Sequence, residues 1–169
     1  MSASASRKKN APKAAARRLP VSSPQSPSKV LSDLLPMEGL AAHAAVIAGL
    51  PLATLNEFLK SFRRIASKDV LAAIGMSERT AQRAFARDLE PGGQSATTVD
   101  SSVSNRILQL NKIRQLATTV LGGQDAAEEW LLQPAMALDQ SRPIDLLKST
   151  EGINMATDLL TRMEYGVYS

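Results

Sequence analysis

Catalysis needs titratable side chains that converge, and this sequence offers few of them. The only His, His43, sits in Leu40-Ala41-Ala42-His43-Ala44-Ala45-Val46, with no second His, Cys or acid pair at ligand spacing. It therefore reads as a packed or partly exposed side chain rather than a metal ligand or general base. Glu128 and Glu129 are sequence neighbours and point in different directions on a helix, so they are not a carboxylate dyad. Gly92-Gly93 and Gly122-Gly123 lack both the following Lys-Ser/Thr of a phosphate loop and the preceding strand of a dinucleotide fold. The chain has no Cys, which excludes thiol nucleophiles, disulfides and Cys-containing zinc or iron–sulfur sites. The expectation is a protein that is not an enzyme, with no catalytic residue, cofactor, metal or small-molecule substrate.

Side chains suited to recognition are more plentiful. Ser67 to Arg87 reads as two short helices joined by Gly75-Met76-Ser77, a helix-turn-helix in which Gly75 supplies the left-handed pivot and Ser77 caps the second helix. Val70, Leu71, Ile74, Met76, Ala81 and Ala84 fall where that motif buries apolar groups. This leaves Arg79, Thr80, Gln82, Arg83 and Arg87 outside, residue types that bond base edges and phosphates in a major groove. From Lys60 to Arg87 there are seven basic residues against Asp69 and Glu78, a field that attracts a duplex loosely. The same pattern also fits a dimerisation or purely structural helix pair, and both readings stay open. DNA contact favours a homodimer, since a two-fold pair reads two half-sites. The apolar helical region from Ala41 to Leu59 is the first candidate for its surface.

Charge is unevenly distributed. Residues 1–32 hold seven basic residues and no acid, whereas residues 122–169 hold three basic and eight acidic residues. A basic end that meets nucleic acid and an acidic end that meets a basic protein surface account for this, as does a solubilising tail beside a solvated acidic face.

The elements that must position these groups are helical throughout. The fold class expected is all-α: a disordered basic N-terminal tail (1–32), a helix-turn-helix domain (33–98), and a small C-terminal helical bundle (99–169). The tail is rich in Ala, Ser, Pro and Lys/Arg and lacks the apolar side chains needed to offset the entropy of ordering. A first helix is expected from about Pro36 to Ala48, stopped by Gly49-Leu50-Pro51, and a second carries the stripe Leu52, Leu55, Leu59 and Phe62. A third begins near Ser67, its presumptive cap, and a fourth opens at Ser77. Glu90-Pro91-Gly92-Gly93 through Thr98 marks the internal boundary. Beyond it, Val103, Ile107, Leu110, Ile113, Ala117 and Leu121 predict a long amphipathic helix closed by Gly122-Gly123. Shorter helices follow around Trp130 and from Pro143, and a last one carries Ile153, Ala156, Leu160 and Met163 before Gly166. No apolar run is long enough to cross a bilayer, so a soluble, cytoplasmic protein is expected.

The order of residues from about Leu121 onward is distinctive. Gly122, Ala126 and Trp130 to Leu132 are followed by Pro134, Leu138, Pro143 and Leu146-Leu147. Thr150, Gly152, Leu159-Leu160, Arg162, Glu164 and Gly166 complete it. This succession resembles the toxin-binding domain of the Xre/MbcA/ParS antitoxins, which neutralise RES-domain toxins. One departure is Gln140-Ser141-Arg142, where the resemblance leads one to expect Gly immediately after the Asp. The resemblance implies a helical bundle that docks onto a toxin and obstructs its NAD-handling pocket. It makes Trp130, Arg162, Tyr165, Val167, Tyr168 and Ser169 the candidate toxin-binding residues. Tyr165 and Tyr168 offer stacking faces, Arg162 a planar fork, and Val167-Tyr168-Ser169 a short tail with a free carboxylate that fits a dinucleotide cleft. By residue type alone Trp130 reads first as core, and Tyr168 and Ser169 as a fraying end.

These readings combine into an antitoxin with two partners, a cognate RES-domain toxin and operator DNA, the latter through autoregulation of its own operon. A free-standing helix-turn-helix transcriptional regulator with a dimerisation or ligand-sensing C-terminal domain is the alternative. A scaffold with no nucleic-acid role is a third reading.

Overall fold

The computed structural model describes residues 39–88 and 98–166. The basic tail 1–32, Leu34, Pro36 and the Glu90 to Thr97 part of the expected break lie outside the described residues. Among those described the chain is all-α, with isolated bridges at Pro51 to Thr98 and Ala135 to Ser141 in place of strands. The helices are α1 (Gly39–Ala48), α2 (Leu52–Lys60), α3 (Ser67–Ala73), α4 (Glu78–Asp88), α5 (Ser101–Leu121), α6 (Gln124–Leu132), α7 (Pro143–Leu146) and α8 (Thr150–Glu164), with a 3-10 turn at Met136–Leu138 between α6 and α7.

Local signals account for most ends. Asp100 caps α5 by accepting the Ser102 amide at 2.9 Å, and Ser149 caps α8 by accepting the Gly152 amide at 3.1 Å. Pro143 occupies the first position of α7, where its missing N–H costs nothing. Ser67 differs from the expected cap. It is the first residue of α3, Ala66 takes the cap position, and no side chain bonds the free amides there. On α2 the buried face is Leu52, Leu55 and Phe58. Leu59 is half-buried, and Phe62 is buried just past the helix end.

The long helix α5 is the centre of the molecule, packing on α1, α6 and α8. It buries Val103, Ile107, Leu110, Ile113 and Ala117 as the pattern predicts, and also Ser104, Leu108, Asn111 and Arg114. Burial around so much of its circumference reflects contacts on several sides rather than one apolar stripe. One apolar cluster runs from Leu50 and Phe58 through Val70 and Ile74 to Ile107, Leu131, Ile144 and Leu160, so residues on both sides of the 98/99 division share a core.

A polar clamp sits inside this core. Glu128 on α6 is fully buried, and its Oε2 accepts the backbone amides of Arg63 and Arg64, at 2.8 and 2.7 Å, in the loop between α2 and α3. Gln124 Nε2 donates to the other carboxylate oxygen at 2.9 Å and to the Ser61 carbonyl at 2.8 Å. Arg114 of α5 donates to Ser61 Oγ at 2.7 Å and to Asn111 Oδ1 at 3.0 Å. Its guanidinium carbon lies 4.5 Å from the Phe62 ring centre and 5.6 Å from that of Phe58. Burial drives Arg114 toward its neutral form, and the Glu128 charge opposes that. Three helices and the α2–α3 loop are therefore tied by one network, and among the described residues no buried side-chain nitrogen or oxygen lacks a partner.

Removing the carboxylate strands two amides and a neighbouring cation in a low-dielectric interior. Glu128→Ala is expected to lower the unfolding free energy by about 3–5 kcal/mol in urea titrations and to abolish hydrogen-exchange protection at the Arg63 and Arg64 amides. Glu128→Gln keeps an acceptor and is expected to lose less, about 1–2 kcal/mol.

Candidate functional site

The segment expected to form a helix-turn-helix holds two helices, α3 and α4, joined through Ile74 to Ser77. Gly75 has φ of +77° at the pivot, so the turn needs Gly for conformation, whereas a Cβ there would meet only the movable guanidinium end of Arg106 on α5. Ser77 Oγ accepts the Thr80 amide at 3.1 Å and lies within hydrogen-bond distance, 2.8 Å, of the Thr80 hydroxyl. Val70, Leu71, Ile74 and Ala81 are buried, with Met76 and Ala84 half-buried against the same cluster. Arg79, Thr80, Gln82, Arg83 and Arg87 are all exposed. Spacing of four places Arg79, Arg83 and Arg87 along one stripe of α4. Gln82 instead lines a groove of about 410 Å³ whose floor is Leu59, Leu71 and Phe85 and whose rim carries Lys60 and Lys68. Arg63 and Arg64, counted in the basic field from sequence, turn toward α6, where Arg63 meets Asp125 at 3.8 Å and Arg64 meets Glu129 at 3.2 Å.

The second surface is built by the segment after α5. Leu138, Ile144, Leu147, Ala156 and Leu160 are its buried side chains. Gly152 in the first turn of α8 is buried, and a Cβ on it would overlap the Leu146 carbonyl oxygen, so the end of α7 can approach this closely only over glycine. That contact is the physical reason for the Gly in the Thr150-Glu151-Gly152 step. Gly152, Ala156 and Leu160 thus define the inner face of α8. Glu151, Met155, Asp158, Arg162 and Tyr165, also three and four residues apart, form its exposed outer face.

The turn from Met136 to Arg142 shows what replaces the expected glycine. Asp139 and Gln140 both adopt left-handed backbone, with φ of 56° and 60°. The loop is closed by the Gln140 amide on the Ala135 carbonyl at 3.0 Å and the Ala135 amide on the Ser141 carbonyl at 3.2 Å. The turn therefore keeps a conformation suited to Gly while carrying a side chain. Arg142 next to it grips Asp145 with two bonds, of 2.7 and 3.1 Å, which hold its guanidinium firmly protonated.

Of the toxin-binding candidates, Trp130 is half-buried against the core on α6, apart from the outer face of α8. Arg162 lines a small cleft of about 150 Å³ with Ala137, Leu138, Met155, Asp158 and Leu159, and Tyr165, three residues on, is 75% exposed. Val167, Tyr168 and Ser169 lie outside the described residues. Sequence reasoning missed Met136 and Met155, which are 86% and 46% exposed. Their apolar character pointed to the core, and only the odd placement of Met136 between Pro134 and Pro143, off any long helix, set it apart. His43 is exposed on α1. Among the described residues no group of three or more His, Cys, Asp or Glu is placed to hold a metal ion, and no helix is long and apolar enough to cross a membrane.

Residues 116–166 match the family model described as the antitoxin Xre/MbcA/ParS C-terminal toxin-binding domain. The matched stretch takes in the last turns of α5 and all of α6 to α8, and it supports a toxin–antitoxin role for the chain. No curated protein matches the sequence.

Left-handed backbone costs a side-chain-bearing residue about 1–2 kcal/mol, offset in part by the greater freedom glycine has when unfolded. Gln140→Gly is therefore expected to stabilise the fold by about 0.5–1 kcal/mol, a rise in Tm of about 2 °C by calorimetry.

Proposed function

We propose that this chain is an antitoxin that binds and neutralises a cognate RES-domain toxin, an enzyme type that consumes NAD or transfers ADP-ribose from it. The α6–α8 bundle docks on the toxin, and the segment after Gly166 enters the nucleotide cleft and blocks it. The observation that carries this reading is the match over residues 116–166, which coincides with a packed bundle whose last helix keeps a full outer face in solvent. The adjoining helix-turn-helix, α3 and α4, binds the operator of its own operon through Arg79, Arg83 and Arg87, with Gln82 and Thr80 beside them, as part of a cytoplasmic homodimer. The exposed arginine stripe supports this second role and is equally the feature on which a free-standing regulator would rest.

Co-expression with the product of the adjacent reading frame, followed by size exclusion and an NAD-consumption assay, tests the antitoxin role. A stable, inactive complex is the expected result. Removing Val167 to Ser169 is expected to leave the complex intact while restoring at least part of the toxin's activity, and unchanged inhibition would eliminate that segment as the plug.

For the operator, the expected signature is binding that weakens steeply with salt. Replacing Arg79, Arg83 and Arg87 together with Ala is expected to lower affinity at least tenfold and to flatten the salt dependence by about three phosphate contacts, read by fluorescence anisotropy.

A further inference from the structure

We infer that the toxin seats on one particular surface: the outer face of α8 at Met155, Asp158, Arg162 and Tyr165, together with Met136 at the tip of the 3-10 turn. The inference rests on the antitoxin reading and names the contact that reading leaves open. Isolated exposed apolar side chains are ordinary on any protein. Here, however, three of the largest, Met136, Met155 and Tyr165, belong to two adjoining elements, and the cleft between these elements is lined by Ala137, Leu138, Met155, Leu159, Asp158 and Arg162.

The backbone under Met136 is fixed rather than loose. Leu138 is buried, the Leu138 amide donates to the Ala135 carbonyl at 3.0 Å, and Asp139 and Gln140 hold left-handed geometry, which Asp tolerates but the Gln side chain does not favour. Backbone strain of this kind persists where the surrounding structure holds it in place, and it clusters at sites of contact. It presents a flexible, polarisable side chain from a fixed platform, a combination suited to filling an irregular apolar pocket. Met, Tyr and Arg are also the residue types enriched at the centres of protein interfaces.

Charge gives the chemistry of the occupant. Asp125 and Glu129 are paired with Arg63 and Arg64, and Asp145 is paired with Arg142. Among the described residues after α5, Asp139, Glu151, Asp158 and Glu164 are exposed and make no ion pair, and Glu151 and Asp158 share the outer face of α8. The partner surface that fits is therefore an apolar side chain entering the cleft, flanked by Lys or Arg for Asp158 and Glu151, with a carboxylate within reach of Arg162.

The test measures affinity of the full chain for the purified product of the adjacent reading frame by calorimetry. Met136→Asp and Met155→Asp are each expected to weaken binding about 30-fold or more. Asp158→Lys is expected to weaken it about tenfold and to reduce its salt sensitivity. Leu40→Asp, on α1 and as exposed as Met136 at 86%, serves as the control and is expected to change affinity by less than about twofold. All four positions are exposed, so thermal unfolding is expected to be unaltered in each variant. If the unaltered chain binds but the Met136, Met155 and Asp158 variants bind equally well, this surface is wrong and the antitoxin reading survives. If the unaltered chain does not bind, both fall together.

Discussion

A single carboxylate organises the molecule. Burying the Glu128 side chain costs several kcal/mol of lost hydration unless its lone pairs are filled. The structure fills them with two consecutive backbone amides and a Gln side chain, while Arg114 supplies opposite charge nearby. The compensation fixes geometry, because amides of neighbouring residues converge on one oxygen only when the loop turns in a particular way. That loop leads directly into α3, and α6, which carries Glu128, leads into the Met136 turn. The loop that enters α3 and the helix that leads to the Met136 turn are thus tied at the same oxygen. Ser61 and Asn111 complete the network by giving Arg114 the acceptors its burial demands.

The exposed pairs around this clamp contribute in another way. Arg63 with Asp125 and Arg64 with Glu129 are largely in solvent, and such pairs add about 0–1 kcal/mol each. Their consequence is the distribution of charge that remains. Two arginines are turned away from α3 and α4, which leaves the stripe on α4 as the main positive feature of that helix pair. Two acids are withdrawn from the C-terminal segment, which leaves its unpaired acids in the Met136 turn and on α8. Among the described residues, the unpaired charge is therefore concentrated as a basic stripe on α4 and acidic positions in the Met136 turn and on α8.

Much of this was legible in the residues. The all-α class, the pivot at Gly75, the cap at Ser77, the stripe of α5 and the buried Ala156 and Leu160 follow from helical periodicity and from residues with one favoured conformation. The order of residues around Trp130, Pro143 and Gly152 marked the segment that the antitoxin toxin-binding family model matches. What escaped was everything that depends on contacts between distant parts of the chain. Glu128 next to Glu129 looks like two solvated acids, and nothing local reveals that one is fully buried against backbone amides more than 60 residues away. Ser67 carries the residue type of a cap but enters the helix, because Ala66 already has the extended geometry of the cap position. Met136 and Met155 are apolar, and helical patterning assigns apolar side chains to a core whether or not a core is there to receive them.

The Met136 turn shows how local conformation and packing trade against one another. Two successive side-chain-bearing residues in left-handed backbone are unfavourable by a few kcal/mol together. The segment holds them because its ends are fixed independently: Leu138 is buried, Ala135 and Ser141 bond across the loop, and Pro143 with the Arg142–Asp145 pair begins α7 at once. With both ends set, the intervening residues are held on this path. Glycine would fit the same path with less strain, so the shape of this turn is determined by its anchors, and the residue at position 140 governs how stable that shape is.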